Sequence, residues 1–279
     1  MAERDRAPEA PRPAGRRERL DRILNLVIDR GHLGVDELVT ELGISPATAR
    51  RDLDALASQQ LLIRSHGGAA AHPDSSALPL RYRASRRAAA KEAIARYAAG
   101  LVEPGAVIGL NGGTTTTALA QELGATARLQ DAPRPTVLVT NAVNIAHELA
   151  VRRHLQLVLT GGVVRESSYE LVGSWADQLL AQISIDVLFL GVDALSAEHG
   201  ARTHDESEAS ISARLIDRSA RTVVVADSTK IAAAAFARIT PIQDVDDLVT
   251  DAGADPVSLQ ELRDNGVRVH VAGEERGRS

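Results

Sequence analysis

The stretch Asn111-Gly112-Gly113-Thr114-Thr115-Thr116 is the part of the sequence best suited to bind an anion, because it follows a predicted strand and opens a predicted helix. Glycines let the backbone approach an anion closely, and threonines in the first helical turn offer amides, hydroxyls and the positive end of the helix dipole. The stretch therefore predicts a phosphate cradle. It has neither the Gly-Lys-Ser/Thr of a Walker loop nor the glycine spacing of a dinucleotide site. The alternative interpretation is an ordinary strand-to-helix turn with threonine as its cap.

Polar or glycine residues also end the other strands predicted in the second half of the chain. They are Thr140 with Asn141, Thr160 with Gly161 and Gly162, Gly191 with Asp193, and Asp227 with Lys230. In open parallel sheets ligands bind beyond the carboxyl ends of the strands, so we expect these residues to line one ligand site. Glu208, in a polar loop over 200–208, is a candidate to hydrogen-bond sugar hydroxyls. Asp205 and Glu206 are interpreted as first-turn charges that favour the helix dipole.

Lysine is almost missing from a sequence with 32 basic residues, since only Lys91 and Lys230 are not arginine. A GC-rich coding bias explains the excess of arginine. The alternative is that these two positions need a compact ammonium charge rather than a planar fork, as phosphate and carboxylate sites sometimes do. Both lysines are therefore candidate ligand contacts.

Several kinds of catalytic and metal site are excluded by composition. The chain has no cysteine, which removes disulfides, thiolate metal sites and cysteine nucleophiles. Its eight histidines do not have the spacing of metal ligands. No nucleophile-elbow motif is present. We expect no metal, no cofactor and no catalytic residue.

The first part of the chain reads as three helices followed by a β-hairpin. Ser45 is a good N-cap and Pro46 suits the first turn, so the third helix starts sharply there. At about 100° per residue, Ala49, Leu53 and Leu56 share an inward stripe. The residues that face the other way are Ala47, Arg50, Arg51 and Asp54.

The hairpin predicted after the third helix consists of an apolar strand, Leu61-Leu62-Ile63 with Arg64, and the tight turn Ser65-His66-Gly67-Gly68. This order is typical of a winged helix-turn-helix, which binds double-stranded DNA. We expect Thr48, Arg50 and Arg51 to enter the major groove, with Ser45 and Ala47 beside them, while Arg64 and His66 touch the DNA backbone. A solvated helix face is the alternative interpretation of the arginine pair.

The 279 residues are enough for about two domains, and 44% of them are apolar, so a real core is expected. We predict a disordered tail over 1–15, a winged helix-turn-helix over 16–70, a linker over 71–84, and a mostly parallel α/β domain over 85–273. The α/β prediction rests on seven short β-branched runs that alternate with helical segments. These runs are 106–111, 136–140, 155–160, 186–192, 221–226, 247–250 and 267–271.

Charge and hydropathy limit the partners. The net charge is only −5, so affinity for nucleic acid must come from a local patch. Aromatic residues make up 2%, which disfavours stacking on RNA or single strands. No apolar run approaches the ~18 residues of a membrane helix, and the N-terminus lacks the apolar stretch of a signal peptide. We therefore expect a cytoplasmic protein without a membrane partner.

Taken together, these motifs resemble the DeoR family of bacterial regulators over nearly the whole chain. Ser45-Pro-Ala-Thr-Ala-Arg-Arg-Asp-Leu53 is similar to the family's recognition helix, and Arg64-Ser-His-Gly-Gly-Ala69 to its wing. In the second half, the matching segments in the family's order are Lys91 with Ile94-Ala95, Gly113-Thr114-Thr115, Thr140-Asn141, Thr160-Gly161-Gly162 and Asp227-Ser-Thr-Lys230.

The resemblance implies a sensor domain with the fold of ribose-5-phosphate isomerase and CoA transferases, which binds phosphorylated sugars or related metabolites and releases operator DNA. It also implies that Gly113, Thr114 and Thr115 hold the phosphate and that Lys230 contacts the ligand. The chain departs from the family at two places. Asn111 stands where the family often has Asp, and Ser212 where Lys is common, so the identity of the ligand is not carried over.

The sequence thus predicts a repressor rather than an enzyme, acting as a dimer or tetramer because one small head makes too few contacts for tight binding. An alternative is a sugar-phosphate isomerase with Asp193 or Glu208 as base and Lys230 as stabiliser of an enediolate. The attached DNA-binding head favours regulation. A purely structural nucleoid binder would not need the glycine-threonine site.

Overall fold

The computed structural model describes residues 15–59, 61–71 and 80–273. The chain divides into two compact units, Met1–Leu78 and Pro79–Ser279. Most of the predicted tail, residues 1–14, and the central part of the predicted linker, residues 72–79, lie outside the described residues. Within the described part, no helix is long and apolar enough to cross a membrane.

The N-terminal unit contains three helices and a three-stranded antiparallel sheet of order β1-β3-β2. In chain order the elements are α1 (Arg16–Arg30), β1 (His32–Gly34), α2 (Val35–Leu42), α3 (Pro46–Ser58), β2 (Leu62–Ser65) and β3 (Gly68–Ala71). The ends of these helices coincide with local sequence signals, and α3 begins where the sequence predicts. Gly31 and Gly43 follow α1 and α2 with positive φ of 77° and 63°, and Ser45 caps α3.

Strand β1 was not expected from the sequence. It pairs with β3, and the two backbones cross so closely that a Cβ atom at Gly68 would lie 2.2 Å from the carbonyl oxygen of Leu33. Only glycine fits there. The predicted linker therefore starts one residue early, because Ala71 is still part of β3.

The second unit is built on seven parallel strands of order β15-β14-β12-β9-β4-β5-β6. All seven predicted runs are strands of this sheet, so the mostly parallel α/β fold is confirmed. Their bounds are β4 (Val107–Leu110), β5 (Thr136–Thr140), β6 (Leu155–Leu159), β9 (Val187–Leu190), β12 (Thr222–Val225), β14 (Asp247–Asp251) and β15 (Arg268–Ala272).

Helices cover both faces of the sheet. They are α4 (Leu80–Arg83), α5 (Ala88–Ala99), α6 (Thr114–Ala125), α7 (Ala127–Gln130), α8 (Val143–Leu149), α9 (Trp175–Leu180), α10 (Glu206–Ile216) and α11 (Pro256–Asp264). Two buried clusters follow from this. Val223 and Val225 belong to the cluster that includes α5, α6 and α8, whereas Val224 belongs to the cluster that includes α9, α10 and α11. Successive residues of a strand face opposite sides, so both faces are buried.

The strand order reverses direction between β4 and β9. From β4 the chain adds β5 and β6 on one side, and it then returns to add β9, β12, β14 and β15 on the other. Such a reversal opens a crevice beyond the carboxyl ends of the two central strands, which is where open α/β sheets bind ligands.

Short additional strands extend the unit, and they correct two sequence predictions. β7 (Val163–Arg165) and β8 (Glu170–Val172) form a hairpin, while β10 (Ala194–Ser196), β11 (Gly200–Thr203) and β13 (Ala237–Thr240) form a small sheet. The segment 200–208 is therefore not a loop throughout, because β11 pairs with strands on both sides. The predicted linker also overlaps α4, which already belongs to the second unit.

Candidate functional site

The exposed face of α3 carries the residues predicted to contact DNA. The Ser45 hydroxyl accepts the backbone N–H of Thr48 at 3.2 Å and fixes the start of the helix. Ala47, Arg50 and Arg51 are exposed, and the Arg51 Nε lies 3.2 Å from the Ala47 carbonyl oxygen. The helix thus presents two guanidinium groups on one side.

The opposite side of α3 is locked by a buried ion pair that the sequence did not reveal. Asp52 is 3% exposed, and its Oδ2 lies 2.7 Å from the Nε of Arg19 on α1. A buried carboxylate paired in this way is costly to separate from its partner. The pair therefore fixes the rotation of α3 about its axis relative to α1, and with it the direction of the exposed arginines.

The hairpin of β2 and β3, termed the wing, is attached to α3 by Arg64. The Arg64 Nε lies 2.9 Å from Asp54 Oδ1, and another of its nitrogens donates to the Gly68 carbonyl. His66 lies exposed in the turn. Arg64 thus holds the wing in place, and a contact of its guanidinium with DNA stays a prediction.

The glycine-threonine stretch lies at the carboxyl end of β4, as predicted. Gly113 has φ 136° and precedes α6. The hydroxyls of Thr116 and Thr117 donate back to the Gly113 carbonyl oxygen at 3.2 and 2.6 Å, which tightens the turn. The amides of the first helical turn lack partners within the helix, as at any helix start, and binding of an anion by those of Thr114 and Thr115 stays a prediction.

Asn111 joins the two central strands at the reversal point of the sheet. Its Oδ1 accepts the N–H of Gly191 at 2.7 Å, and its Nδ2 donates to the Gly191 carbonyl at 2.9 Å and to the Ser212 hydroxyl at 3.3 Å. The Asn111 amide is therefore occupied inside the protein. It positions the turns after β4 and β9.

Glu170 on β8 lies directly over Gly112. A Cβ atom at position 112 would be 2.3 Å from the Cγ of Glu170 and 2.4 Å from its Oε1. The other oxygen, Oε2, accepts a hydrogen bond from Asn141 Nδ2 at 2.9 Å. Burial, together with the nearby charge of Glu208, raises the pKa of Glu170 to about 8. Position 112 thus needs glycine because it accommodates Glu170, and the carboxyl beside the amides of α6 is largely neutral at pH 7.

Asp193, after β9, forms an ion pair with Lys230. Asp193 Oδ1 lies 3.2 Å from Lys230 Nζ, and its Oδ2 accepts from the Thr203 hydroxyl at 3.0 Å. Burial of Asp193 favours its neutral form, but the charges of Lys230 and Arg83 outweigh burial and hold its pKa below the usual range. Asp193 is therefore ionised at neutral pH.

Glu208 is held at the start of α10 by an arginine from the hairpin. Glu208 Oε1 lies 3.0 Å from Arg165 Nε, and Oε2 accepts from the Thr203 hydroxyl at 3.2 Å. Another nitrogen of Arg165 lies 2.9 Å from Asp205, whose side chain caps α10. Asp205 thus lies at the helix start, as the sequence indicated, and Thr203 connects Glu208 with Asp193.

Lys91 on α5 supports the chain just before that helix. It is buried, and its Nζ donates to the carbonyl oxygens of Arg83 and Arg86 at 2.7 and 2.6 Å. Burial lowers its pKa to about 8. The lysine therefore anchors the segment that follows α4, and a direct contact with ligand stays a prediction.

The remaining predicted residues at strand ends shape the backbone. The Thr140 hydroxyl accepts the N–H of Ala142 at 3.1 Å. Gly161 and Gly162 have positive φ of 82° and 133°, and Gly162 leaves no room for a Cβ against the backbone of Val172. They set the path from β6 into the hairpin.

Among the described residues, six buried side-chain polar atoms have no hydrogen-bond partner, and four of them belong to segments near this edge of the sheet. These four are Arg83 Nε, Asn141 Oδ1, Asn144 Oδ1 and Ser168 Oγ. Buried polar atoms almost always have a partner, which in a binding site is supplied by ligand or water. Their concentration here supports a polar ligand site.

The structure thus brings together residues from separate parts of the chain: Gly112 and Glu170, Asn141, Asp193 with Lys230, and Glu208. Sequence reasoning missed Glu170, Arg165 and Arg83. Glu170 and Arg165 belong to a hairpin with no recognisable motif. The one signal in the sequence was that Arg165 and Glu170 flank a short turn soon after the end of a predicted strand.

Comparison with known proteins gives two family matches that together span both units. Residues 19–74 match the DeoR-like helix-turn-helix domain, and residues 86–252 match the DeoR C terminal sensor domain. The regulator GlpR of Haloferax volcanii is 34% identical over 257 residues, which cover 90% of this chain and 96% of that protein. The glycerol-3-phosphate regulon repressor of Escherichia coli K12 is 30% identical over 254 residues, covering 91% and 98%.

Solved structures resemble the chain more distantly. Ribose 5-phosphate isomerase A of Methanocaldococcus jannaschii is 20% identical with a TM-score of 0.36, covering 50% of this chain and 52% of its own. A sor operon regulator of Shigella flexneri is 12% identical with a TM-score of 0.41, covering 63% and 88%.

Proposed function

This chain belongs to the DeoR family of transcriptional regulators, and on that premise we propose that it represses genes of carbohydrate metabolism and leaves its operator when a phosphorylated sugar or related metabolite binds the α/β unit. One observation supports this most directly. A helix with exposed arginines and a strand-end site with helix amides and unsatisfied polar atoms occur in the same chain. The glycerol-3-phosphate regulon repressor, a relative across nearly the whole chain, gives the class of metabolite.

Recognition of DNA is assigned to α3. Thr48, Arg50 and Arg51 enter the major groove, where the arginines reach base edges and phosphates, and His66 in the wing contacts the DNA backbone. Arg64 contributes by holding the wing against Asp54. A dimer or tetramer on repeated half-sites supplies the contact area that a single head lacks.

Recognition of the metabolite is assigned to the reversal point of the sheet. The amides of Thr114 and Thr115 bind the anionic group at the N-terminus of α6. The carboxyls of Glu170, Asp193 and Glu208 accept or donate hydrogen bonds to hydroxyl groups of the carbon chain. Lys230 keeps Asp193 in place and adds positive charge to the site.

Induction then follows from linkage. The protein has one arrangement that binds DNA and one that does not. A metabolite with higher affinity for the second arrangement shifts the population towards release of DNA. The effect is reciprocal, so operator DNA must weaken binding of the metabolite by the same factor.

An isomerase is the rival function, and the site disfavours it. The two candidate bases are engaged in ion pairs with Lys230 and Arg165. A pKa below the usual range makes Asp193 a weak base. We therefore propose that the site binds without catalysis. Turnover of ribose 5-phosphate by the purified chain, lost in Glu208→Gln, would reverse this conclusion.

The deciding experiment combines a thermal-shift screen with a DNA-release assay on the full chain. The screen compares phosphorylated sugars and glycerol 3-phosphate with the same compounds lacking phosphate. We expect a rise in Tm with the phosphorylated set only. The compounds that raise Tm are then tested for release of an operator selected from a random DNA library.

A matched pair of threonine variants assigns the response to the site. Thr114→Pro removes one of the two N–H groups, at the first position of α6, where proline is tolerated, and should abolish the rise in Tm. Thr126→Val alters the residue after the other end of α6, where the hydroxyl donates to the Glu122 carbonyl, and should leave the rise unchanged. Equal stabilisation by phosphorylated and unphosphorylated compounds would contradict the assignment.

A further inference from the structure

Arg83, the last residue of α4, carries a buried donor without a partner. Its Nε has no hydrogen-bond partner among the described residues. Its backbone, by contrast, is held firmly, because the Arg83 carbonyl oxygen accepts from Lys91 Nζ at 2.7 Å. The main chain is fixed, while one buried donor of the guanidinium has no partner among the described residues and so needs an explanation, which a bound ligand would supply.

The charge of Arg83 acts on the carboxyls of the site. It opposes the rise in the pKa of Glu170 and helps to lower that of Asp193. Among the described residues, Asp193 forms its ion pair with Lys230 rather than with Arg83. The guanidinium is thus close enough to act on both carboxyls without being neutralised by either. Glu170 in turn touches Gly112, next to the amides of α6.

Building on the function proposed above, we propose that Arg83 is an effector-binding residue, whose guanidinium binds the anionic group of the metabolite together with the first-turn amides of α6. A guanidinium fork matches a phosphate bidentately, which a lysine ammonium does not. Arg83 thereby supplies the positive charge that the amides lack, and it offsets the acidic residues that surround the site.

The position of Arg83 in the chain gives this contact a second consequence. α4 is the first described element after residues 72–79, which continue to the DNA-binding unit. The N–H of Leu80, at the other end of α4, donates to the Ser167 carbonyl in the hairpin turn at 3.0 Å. A ligand that binds Arg83 therefore acts on the element where the chain enters the second unit.

The test uses the full chain with Arg83→Gln, Arg83→Lys and the control Arg96→Gln, whose side chain is 59% exposed on α5. Binding of glycerol 3-phosphate, ribose 5-phosphate and inorganic phosphate is measured by titration calorimetry, and release of operator DNA by fluorescence anisotropy. We expect Arg83→Gln to weaken binding of a responsive phosphate compound at least about 10-fold, as for loss of a charged hydrogen bond. Arg83→Lys should bind with intermediate affinity, and the concentration needed for release should rise by the same factor.

Each outcome decides one claim. Affinity of Arg83→Gln within twofold of the unaltered chain overturns the role of Arg83, even if its Tm without ligand is lower. If Arg83→Gln does not fold, Arg83→Lys still tests the proposal, because it keeps the positive charge but cannot bind a phosphate bidentately. Equal affinity of Arg83→Lys and the unaltered chain also overturns the proposal. No response of the unaltered chain to any phosphate compound contradicts the proposed function itself.

Discussion

The side-chain amide of Asn111 donates to the hydroxyl of Ser212, 3.3 Å away, and both residues are almost fully buried. The resemblance to the DeoR family leads one to expect Asp and Lys at these two positions. The two departures are in contact with each other through a neutral hydrogen bond.

Asn111→Asp should destabilise the chain by about 1–3 kcal/mol, because aspartate cannot donate to the Gly191 carbonyl and adds a buried charge. Ser212→Lys should also destabilise. The double variant should recover a large part of the loss, since the two charges compensate each other. Urea unfolding of the four proteins measures the coupling in a double-mutant cycle. If the double variant loses as much stability as the two single variants added together, the introduced Asp and Lys do not compensate each other.

Binding of a phosphate compound should weaken roughly tenfold between pH 7 and pH 9. Glu170, whose pKa burial raises to about 8, ionises in this range and then repels an anion held by the amides of α6. Calorimetric titration over this range measures the profile. Glu170→Gln should show a much smaller decline, the part that remains coming from Lys91, whose pKa of about 8 lies in the same range. Glu166→Gln, exposed in the same hairpin turn, should keep the profile of the unaltered chain. An unchanged slope in Glu170→Gln would assign the pH dependence to another group.

The same carboxyl makes stability depend on pH in a defined direction. The pKa of Glu170 is higher in the folded than in the unfolded chain, so the folded state binds its proton more tightly. The free energy of unfolding should therefore fall as pH rises from about 4.5 to about 8. Comparison of the urea midpoints of the unaltered chain and Glu170→Gln across this range isolates the contribution. The midpoint of the glutamine variant should decline less.

Gly112→Ala should lower stability by roughly 1–3 kcal/mol, the usual cost of overpacking a buried position. Its Cβ would collide with the Glu170 side chain. The second-site change Glu170→Ala should relieve the collision, so the double variant is expected to be less destabilised than the sum of the two single changes. Thermal unfolding checks this. A double variant as unstable as that sum would mean that the backbone at position 112, rather than Glu170, requires glycine.

Arg50→Ala and Arg51→Ala should each weaken operator binding by about 1–3 kcal/mol if the arginine reads a base, with no loss of Tm because both side chains are exposed. An arginine that contacts phosphate should instead reduce the salt dependence of binding by about one unit of slope. Arg22→Ala on the exposed side of α1 is the control. Operator affinity unchanged in both α3 variants would remove α3 from the interface.

Features that depend on local sequence were predictable. Glycines with positive φ end α1 and α2, Ser45 caps α3, and the seven β-branched runs became the seven strands. Each follows from the conformational preference of a few neighbouring residues. The polar ends of those strands also lie at one edge of the sheet, as expected of parallel strands, and binding of a ligand there stays a prediction.

Features that depend on partners distant in sequence were not predictable. Asp52 lies among exposed arginines in the sequence, yet it is buried because Arg19 pairs with it from 33 residues away. Glu170 lies in the candidate site only because the hairpin of β7 and β8 folds over Gly112. The strand order, and hence the reversal between β4 and β9, is set by which strands pair, and this leaves no periodic signal in a single sequence.

In the proposed site, the anion and the rest of the ligand are bound by different groups. The anion is assigned to the main-chain amides of Thr114 and Thr115 and to the Arg83 guanidinium, and the rest of the ligand to the side chains of Glu170, Asp193 and Glu208. Only a change to proline removes a main-chain N–H, whereas any substitution alters Glu170, Asp193 or Glu208 one at a time. Substitutions at these three carboxyls are therefore expected to change which carbon skeleton the protein binds while the requirement for an anionic group is kept. A new inducer would then need only a few substitutions and no change in the sheet.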